Sequence, residues 1–223
     1  MPGRLRSLTL AAFRSLTGKR AGLSTGEVDT VRDNLERFIG KPMGPPTTAP
    51  EAVNVPMIRH WVDALDDRNP VYLDDEVASA TRFGGVVAPP AMLQAWSMPR
   101  PRIEGIAERG GAPDEMKSEN VVTALDEAGY VGTLATNSEL EFFRYLRPGD
   151  LLHTTNSLES ISARKKTGLG LGYFVTWITT FRTADDEDVG RQLFRIFKFD
   201  PSTMGAGTGG QAPKDEASPE GTS

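Results

Sequence analysis

The chain has 223 residues, of which 38% are hydrophobic and 25% charged, the size and mix of one soluble domain with short extensions. Its net charge of −5 argues against a nucleic-acid binder, whose footprint is a basic face, and no apolar run approaches the roughly 18 residues of a membrane span. There is no cysteine, and the two histidines, His60 and His153, lie far apart, so disulfides, thiolate ligands, a cysteine nucleophile and the usual zinc spacings are excluded, as fits a cytoplasmic protein.

Residues 1–26 carry no acidic residue but hold Arg4, Arg6, Arg14, Lys19 and Arg20. The apolar piece LTLAAF is too short for a signal segment and no A-x-A site follows, so a poorly ordered extension is expected. EVDTVRDNLERFIG predicts a short helix, with Val28, Val31, Leu35 and Phe38 at helical spacing. Pro45, Pro46 and Pro50 make the next stretch turn and extended chain. VPMIRHWVDAL predicts a helix with Ile58, Trp61, Val62 and Leu65 on its apolar face, and His60 on the polar side as a surface histidine. DDRNPVY reads as a loop, since Asn-Pro punctuates, and DDEVASAT as a short helix capped by Asp74.

The Gly84-Gly85 pair permits positive φ. VVAPPAMLQAW is apolar nearly all round, with Pro89 and Pro90 suited to a first turn, so a buried helix is expected over Ala91 to Met98. Residues 100–129 read as a loop or lid with a short helix near Val121 to Ala128. From Tyr130 onward, segments rich in β-branched and aromatic residues, separated by the turns RPGD and TADDED, predict antiparallel strands in sequence. Phe142, Phe143, Tyr145, Tyr173, Phe174, Trp177 and Phe181 read first as core and sheet-face packing. The GLGLG run at Gly168 to Gly172 precedes a strand, whereas a dinucleotide loop follows one. The Gly, Ser, Pro and charge of residues 201–223 predict a disordered tail. Helices first and strands later give an α+β domain over 27–200, a sheet wrapped on a central helix.

Three motifs carry a resemblance. Asp67-Arg68-Asn69-Pro70-Val71-Tyr72, then Arg82-Phe83-Gly84-Gly85-Val86-Val87-Ala88-Pro89-Pro90, then Arg147-Pro148-Gly149-Asp150-Leu151 resemble the MaoC-type acyl dehydratases, or hydratase 2 enzymes, of hot-dog fold. In catalytic members the first motif reads G-D-x-N-P-[LIV]-H and the second V-A-H-G. The Asp and His handle the water exchanged with an enoyl thioester, and the Gly amide holds the thioester carbonyl. Here Asp66 replaces the Gly, Tyr72 the His, and Pro89-Pro90 the His-Gly pair. N-P-x-Y and V-A-P-P resemble the family's non-catalytic branch, whose members pair with catalytic hot-dogs. VNVPMIRHWVDALDDRNPVYLDD, VVAPPAMLQAW, FRYLRPGD and FRIFKF are similar to the larger subunit of the heteromeric steroid enoyl-CoA hydratases of actinobacterial cholesterol side-chain degradation.

The resemblance implies an acyl-binding subunit that has an acyl-CoA substrate, needs no metal or redox cofactor, and joins a smaller catalytic hot-dog chain. Chemistry points the same way. Hydration needs a base, and tyrosine, near pKa ~10, is a poor one at neutral pH. Pro90 has no amide hydrogen to donate. No catalytic residue is therefore expected in this chain. Asp67, Asn69, Tyr72, Gly85, Val86, Pro89, Pro90 and Lys198 are the expected substrate-binding residues. Lys165-Lys166, Arg195 and Lys198 are candidates to meet coenzyme phosphates. Two alternatives stay open: a self-sufficient homodimeric hydratase using Asp67, and a scaffold docking a thiolase-like enzyme. Asp67 also has a structural reading, as the cap of a turn beside Asn69-Pro70.

Overall fold

Asp29 starts the first helix. In the computed structural model, which describes residues 29–100, 103–105 and 119–204, its Oδ1 accepts from Arg32 N (3.1 Å) and from the Tyr173 hydroxyl (2.6 Å). This ties α1 (Thr30–Leu35) to the sheet. The expected N-terminal extension, half of the expected 100–129 loop and the tail beyond Met204 lie outside the described residues. A two-residue strand, β1 (Thr47–Thr48), follows the proline-rich stretch.

Asn54 caps α2 (Val55–Ala64) by accepting from Met57 N at 3.0 Å. Ile58 and Val62 are fully buried, while Leu65 is 64% exposed, because it is the C-cap and leaves the helical face. DDRNPVY is not all loop: Asn69 caps a single turn, α3 (Pro70–Leu73). Asp74 then caps α4 (Asp75–Ala80), accepting from Glu76 N and Val77 N. Pro90–Met92 form a 3-10 turn leading into α5 (Leu93–Ser97). This central helix is shorter than the expected Ala91 to Met98, because Pro99 drives Met98 out of the helical region. α6 (Val121–Glu127) follows where a helix was expected, with a reciprocal Asn120–Thr123 capping box.

The strands are β2 (Gly132–Phe142), β3 (Leu152–Ile161), β4 (Lys165–Thr167), β5 (Gly170–Thr183) and β6 (Asp188–Asp200). The order is β1-β3-β5-β6-β2, antiparallel throughout, with β4 folded back on β5. Strands are therefore not neighbours strictly in sequence. β2 lies on the far edge against β6, while β3 lies across β5. Composition explains this: β5 and β6 are apolar on both faces and take the centre, whereas β2, with Thr133, Asn137, Ser138, Glu139 and Glu141, suits an edge. The fold also continues past Asp200, since Pro201–Thr203 form a turn whose Thr203 Oγ1 accepts from Leu171 N (2.7 Å).

Helices cover one sheet face in two apolar clusters. One joins α2–α5 to Leu152, Phe181 and Val189; the other joins α1 and α6 to Leu158, Ile161, Tyr173, Val175 and Ile196. Along β5 and β6 a polar layer separates them. Thr179 Oγ1 donates to Asn156 Oδ1 (2.6 Å), and buried Gln192 donates to Ser138 Oγ (2.9 Å) and Gln94 Oε1 (3.3 Å).

Candidate functional site

The first motif is built on the C-terminus of α2. Asp66 N–H donates to Asp63 O (3.2 Å) and Asp67 N–H to Val62 O (2.9 Å), the paired bonds of a Schellman ending. That ending needs a left-handed residue, and Asp66 supplies it at φ 52. The glycine of catalytic members thus corresponds to a backbone requirement, which aspartate also meets.

The same ending fixes Asp67. Its Oδ1 accepts from Asn69 N (3.0 Å), and Asn69 Oδ1 in turn accepts from Val71 N (3.2 Å) to cap α3. The turn-capping reading of Asp67 is what the geometry displays. The α3 turn then buries Tyr72 at 8% exposure. Its phenol is pushed above the ordinary tyrosine value, first by burial, then by Tyr145 and by the Asp67 carboxylate. At neutral pH it is a protonated donor, not a base.

The second motif packs in the same buried cluster as this turn. Gly84 (φ 66) and Gly85 (φ 154) both take positive φ, where side chains are strained. Val86, Val87, Ala88 and Pro89 are buried, and Pro90 occupies the first position of the turn into α5. Ala88 N–H donates to Leu146 O (2.8 Å), joining the second motif to the third.

The third motif is a turn locked by Asp150. Its Oδ2 accepts from Arg147 N (2.7 Å) and Arg144 Nη1 (2.7 Å), and its Oδ1 accepts from Arg144 Nη2 (3.2 Å). Burial raises the carboxyl, but the Arg144 bond and the Arg147 amide outweigh it, so Asp150 sits below the usual carboxylate range. Arg144 also bonds Glu187 Oε2 (2.8 Å).

The second and third segments, with the end of β2, border an open cavity of about 270 Å³, lined by Arg82, Phe83, Val87, Pro90, Phe142, Phe143, Arg144, Tyr145 and Arg147. Phe83 and Tyr145 rings lie 4.6 Å apart. The cavity is apolar in its body and has three guanidinium-bearing residues in its lining. Tyr72 belongs to the buried cluster against which the lining residue Tyr145 packs.

Of the expected substrate residues, only Pro90 lines this cavity, while Tyr72 and Val86 lie in the buried cluster that also holds the lining residue Val87. Asp67 and Asn69 serve the turn into α3, Gly85 takes a positive φ, and none of these three is in the cavity lining. Lys198 must be corrected. It is 2% exposed, with its ammonium bound to Asp126 Oδ1, Thr133 Oγ1 (2.9 Å) and Val131 O (3.4 Å). Burying an ammonium requires such partners, so it clamps α6 to β2 and is not free for a phosphate. Arg195 donates to Thr176 Oγ1 (2.9 Å), and Lys165-Lys166 lie at the other end of β5, opposite Leu171 and Gly172. Arg82, Arg144 and Arg147 are the basic residues at the cavity. Sequence reasoning gave them no role, although each stands within a quoted motif.

The family model described as FAS1-like, dehydratase domain region matches residues 37–192. A probable enoyl-CoA hydratase alpha subunit of Thermomonospora curvata is 44% identical over 75% of this chain and 51% of its own length. The 3-oxo-4,17-pregnadiene-20-carboxyl-CoA hydratase alpha subunit of Mycobacterium tuberculosis is 38% identical over 78% of this chain and 53% of its own length. The chain thus spans about half the length of these curated relatives. A chain of the ChsH1-ChsH2 complex from Mycobacterium tuberculosis superimposes with a TM-score of 0.65 at 34% identity, covering 83% of this chain and 98% of that one. This chain belongs to the FAS1-like dehydratase-region family of MaoC-like hot-dog proteins.

Proposed function

We propose that this chain is the acyl-binding, non-catalytic half of a heteromeric enoyl-CoA hydratase. The observation that carries the reading is the pair of groups at the two catalytic positions of the motifs: a buried phenol held protonated, Tyr72, and a proline without an N–H, Pro90. In the reaction, water oxygen bonds to the β-carbon of the enoyl thioester, a proton bonds to the α-carbon, and the thioester oxygen carries negative charge between the two events. A base and a preorganised donor are needed, and a smaller hot-dog partner with an intact Asp and His supplies them. This chain shapes the acyl pocket.

Two features support a bulky acyl group and a partner. The cavity at the start of α5 has Phe83, Val87, Phe142, Phe143 and Tyr145 in its lining, an apolar body suited to an acyl group. Leu140, Phe142 and Phe143 at the β2 edge are 36%, 40% and 37% exposed, an apolar margin suited to a second hot-dog. The relative from Mycobacterium tuberculosis is named for a steroid thioester, and a steroid side-chain enoyl-CoA is the substrate class proposed here. No helix among the described residues is long and apolar enough to cross a membrane, and we place the complex in the cytoplasm.

Loss of enone absorbance on a steroid enoyl-CoA tests this with the chain alone, a small hot-dog partner alone, and the two co-expressed. Turnover only by the mixture is expected. Turnover by this chain alone contradicts the reading, and an inactive chain that co-purifies with a thiolase-like enzyme replaces it with the scaffold reading.

A further inference from the structure

We propose that Arg82 and Arg147 at the Phe83–Tyr145 cavity grip the phosphates of a coenzyme A thioester, an assignment that rests on the acyl-thioester reading above. Three arginines line this cavity, and only one is committed: Arg144 forks onto Asp150 and reaches Glu187. The Arg82 guanidinium lies 4.9 Å from the Phe83 ring centre and has no ion pair among the described residues. Arg147 bonds Asp150 through its backbone N–H, and its exposed guanidinium, whose charge helps lower that carboxyl, makes no ion pair among the described residues and keeps its own donors open.

Two like charges at one cavity of a chain with net charge −5 call for an anion. The Asp150 carboxylate accepts three bonds from Arg144 and the Arg147 amide and is spent within the turn. Guanidinium forks match phosphate oxygens in geometry and charge. The cavity body, with Phe83, Val87, Phe142 and Tyr145, does not suit a phosphate. Its ligand therefore has an apolar part within and a phosphorylated part at the arginines, as an acyl-CoA has. The other basic candidates compete poorly, since Lys198 is clamped by Asp126 and Lys165-Lys166 stand at the far end of β5.

The test is calorimetric binding of coenzyme A and of pantetheine, the same thiol arm without phosphates, to the full chain co-expressed with its small hot-dog partner. Wild type is expected to bind coenzyme A at least about tenfold more tightly than pantetheine. Arg82→Gln/Arg147→Gln erases that margin, leaves pantetheine affinity unchanged, and removes the salt dependence of the margin. Arg82→Lys/Arg147→Lys keeps part of it. If the double variant fails to fold by circular dichroism, Arg82→Gln alone is read, and it must cut the margin several-fold. The proposal is overturned if wild type shows no margin, or if the folded variant keeps it. It is also overturned if substitution loosens the two subunits while coenzyme binding stays intact, because the arginines then serve partner carboxylates. Hydratase turnover of the same preparations separates the two readings. Margin without turnover sinks the hydratase reading alone, and turnover without margin sinks this one alone.

Discussion

At the scale of single residues, a phenol can fill the space of an imidazole without sharing its titration. Burial pushes Tyr72 further from neutrality, so it stays protonated through the physiological range. Pro90 is a separate loss, because no side-chain change restores a missing N–H. Tyr72→His in this chain is therefore expected to give no measurable turnover without the partner, the absent donor alone costing on the order of 10²–10³ in rate. Enone absorbance reads this out, and hydration by the lone variant would contradict it. Asp66 is different. Its departure from the catalytic glycine is visible in sequence and suggests lost function, yet the structure gives it a backbone cause, φ 52 at a Schellman ending. Asp66→Val is expected to cost about 1–2 kcal/mol in urea unfolding and Asp66→Gly essentially nothing. The sequence thus displayed three departures, and only the geometry gives the Asp66 one a backbone cause.

At the scale of elements, the Arg147–Asp150 turn joins α2 to the sheet. Val53 N–H donates to Asp150 O (2.8 Å) and Gly149 N–H to Val53 O (2.8 Å), alongside the Arg144 fork. Asp150→Ala strands a half-buried guanidinium and is expected to cost about 1–3 kcal/mol of stability by thermal or urea melt. β2 makes the opposite prediction. Phe142 is exposed on an edge strand, so Phe142→Lys should shift the stability of the lone chain by no more than about 0.5 kcal/mol. In a sedimentation or pull-down measurement it should weaken pairing with the partner at least tenfold. Most of these elements were legible in the sequence: apolar residues at helical spacing mark α1 and α2, Asp74 announces α4, and the β-branched runs announce the strands. Strand order was not, because period-2 patterning is local and does not say that β2 crosses to the far edge of β6. The central helix overran at its end because the apolar run continues to Met98, while Pro99 is what stops it.

At the scale of the molecule, one sheet carries two apolar clusters with a polar layer between them, and two lowered carboxylates fasten the ends. Asp150 holds the turn beside the first cluster. Asp29 caps α1 at the second, where burial raises its carboxyl but the Tyr173 hydroxyl and the Arg32 and Arg164 amides bring it below the usual range. Both folded values lie below the unfolded one. Their stabilisation is therefore complete above about pH 4 and is lost as pH falls through the folded values. Stability should be flat near neutrality and drop on acidification, and Asp29→Asn or Asp150→Asn should flatten that drop in melts taken across pH. The site was legible where motifs mark it, and illegible where it depends on distance. The Lys198 ammonium looked available in a strand and lies against Asp126, while Arg82 and Arg147 come to line one cavity only through the fold.

The central claim is that the catalytic groups lie in another chain. The most direct measurement is kcat of the co-expressed complex on an enoyl-CoA with one side altered at a time. Replacing the motif histidine of the partner with alanine should abolish turnover, while Asp67→Asn in this chain should leave kcat within about threefold, as befits a turn cap beside α3. Loss of turnover in the folded Asp67→Asn complex, with the partner histidine dispensable, would place the chemistry in this chain and contradict the account.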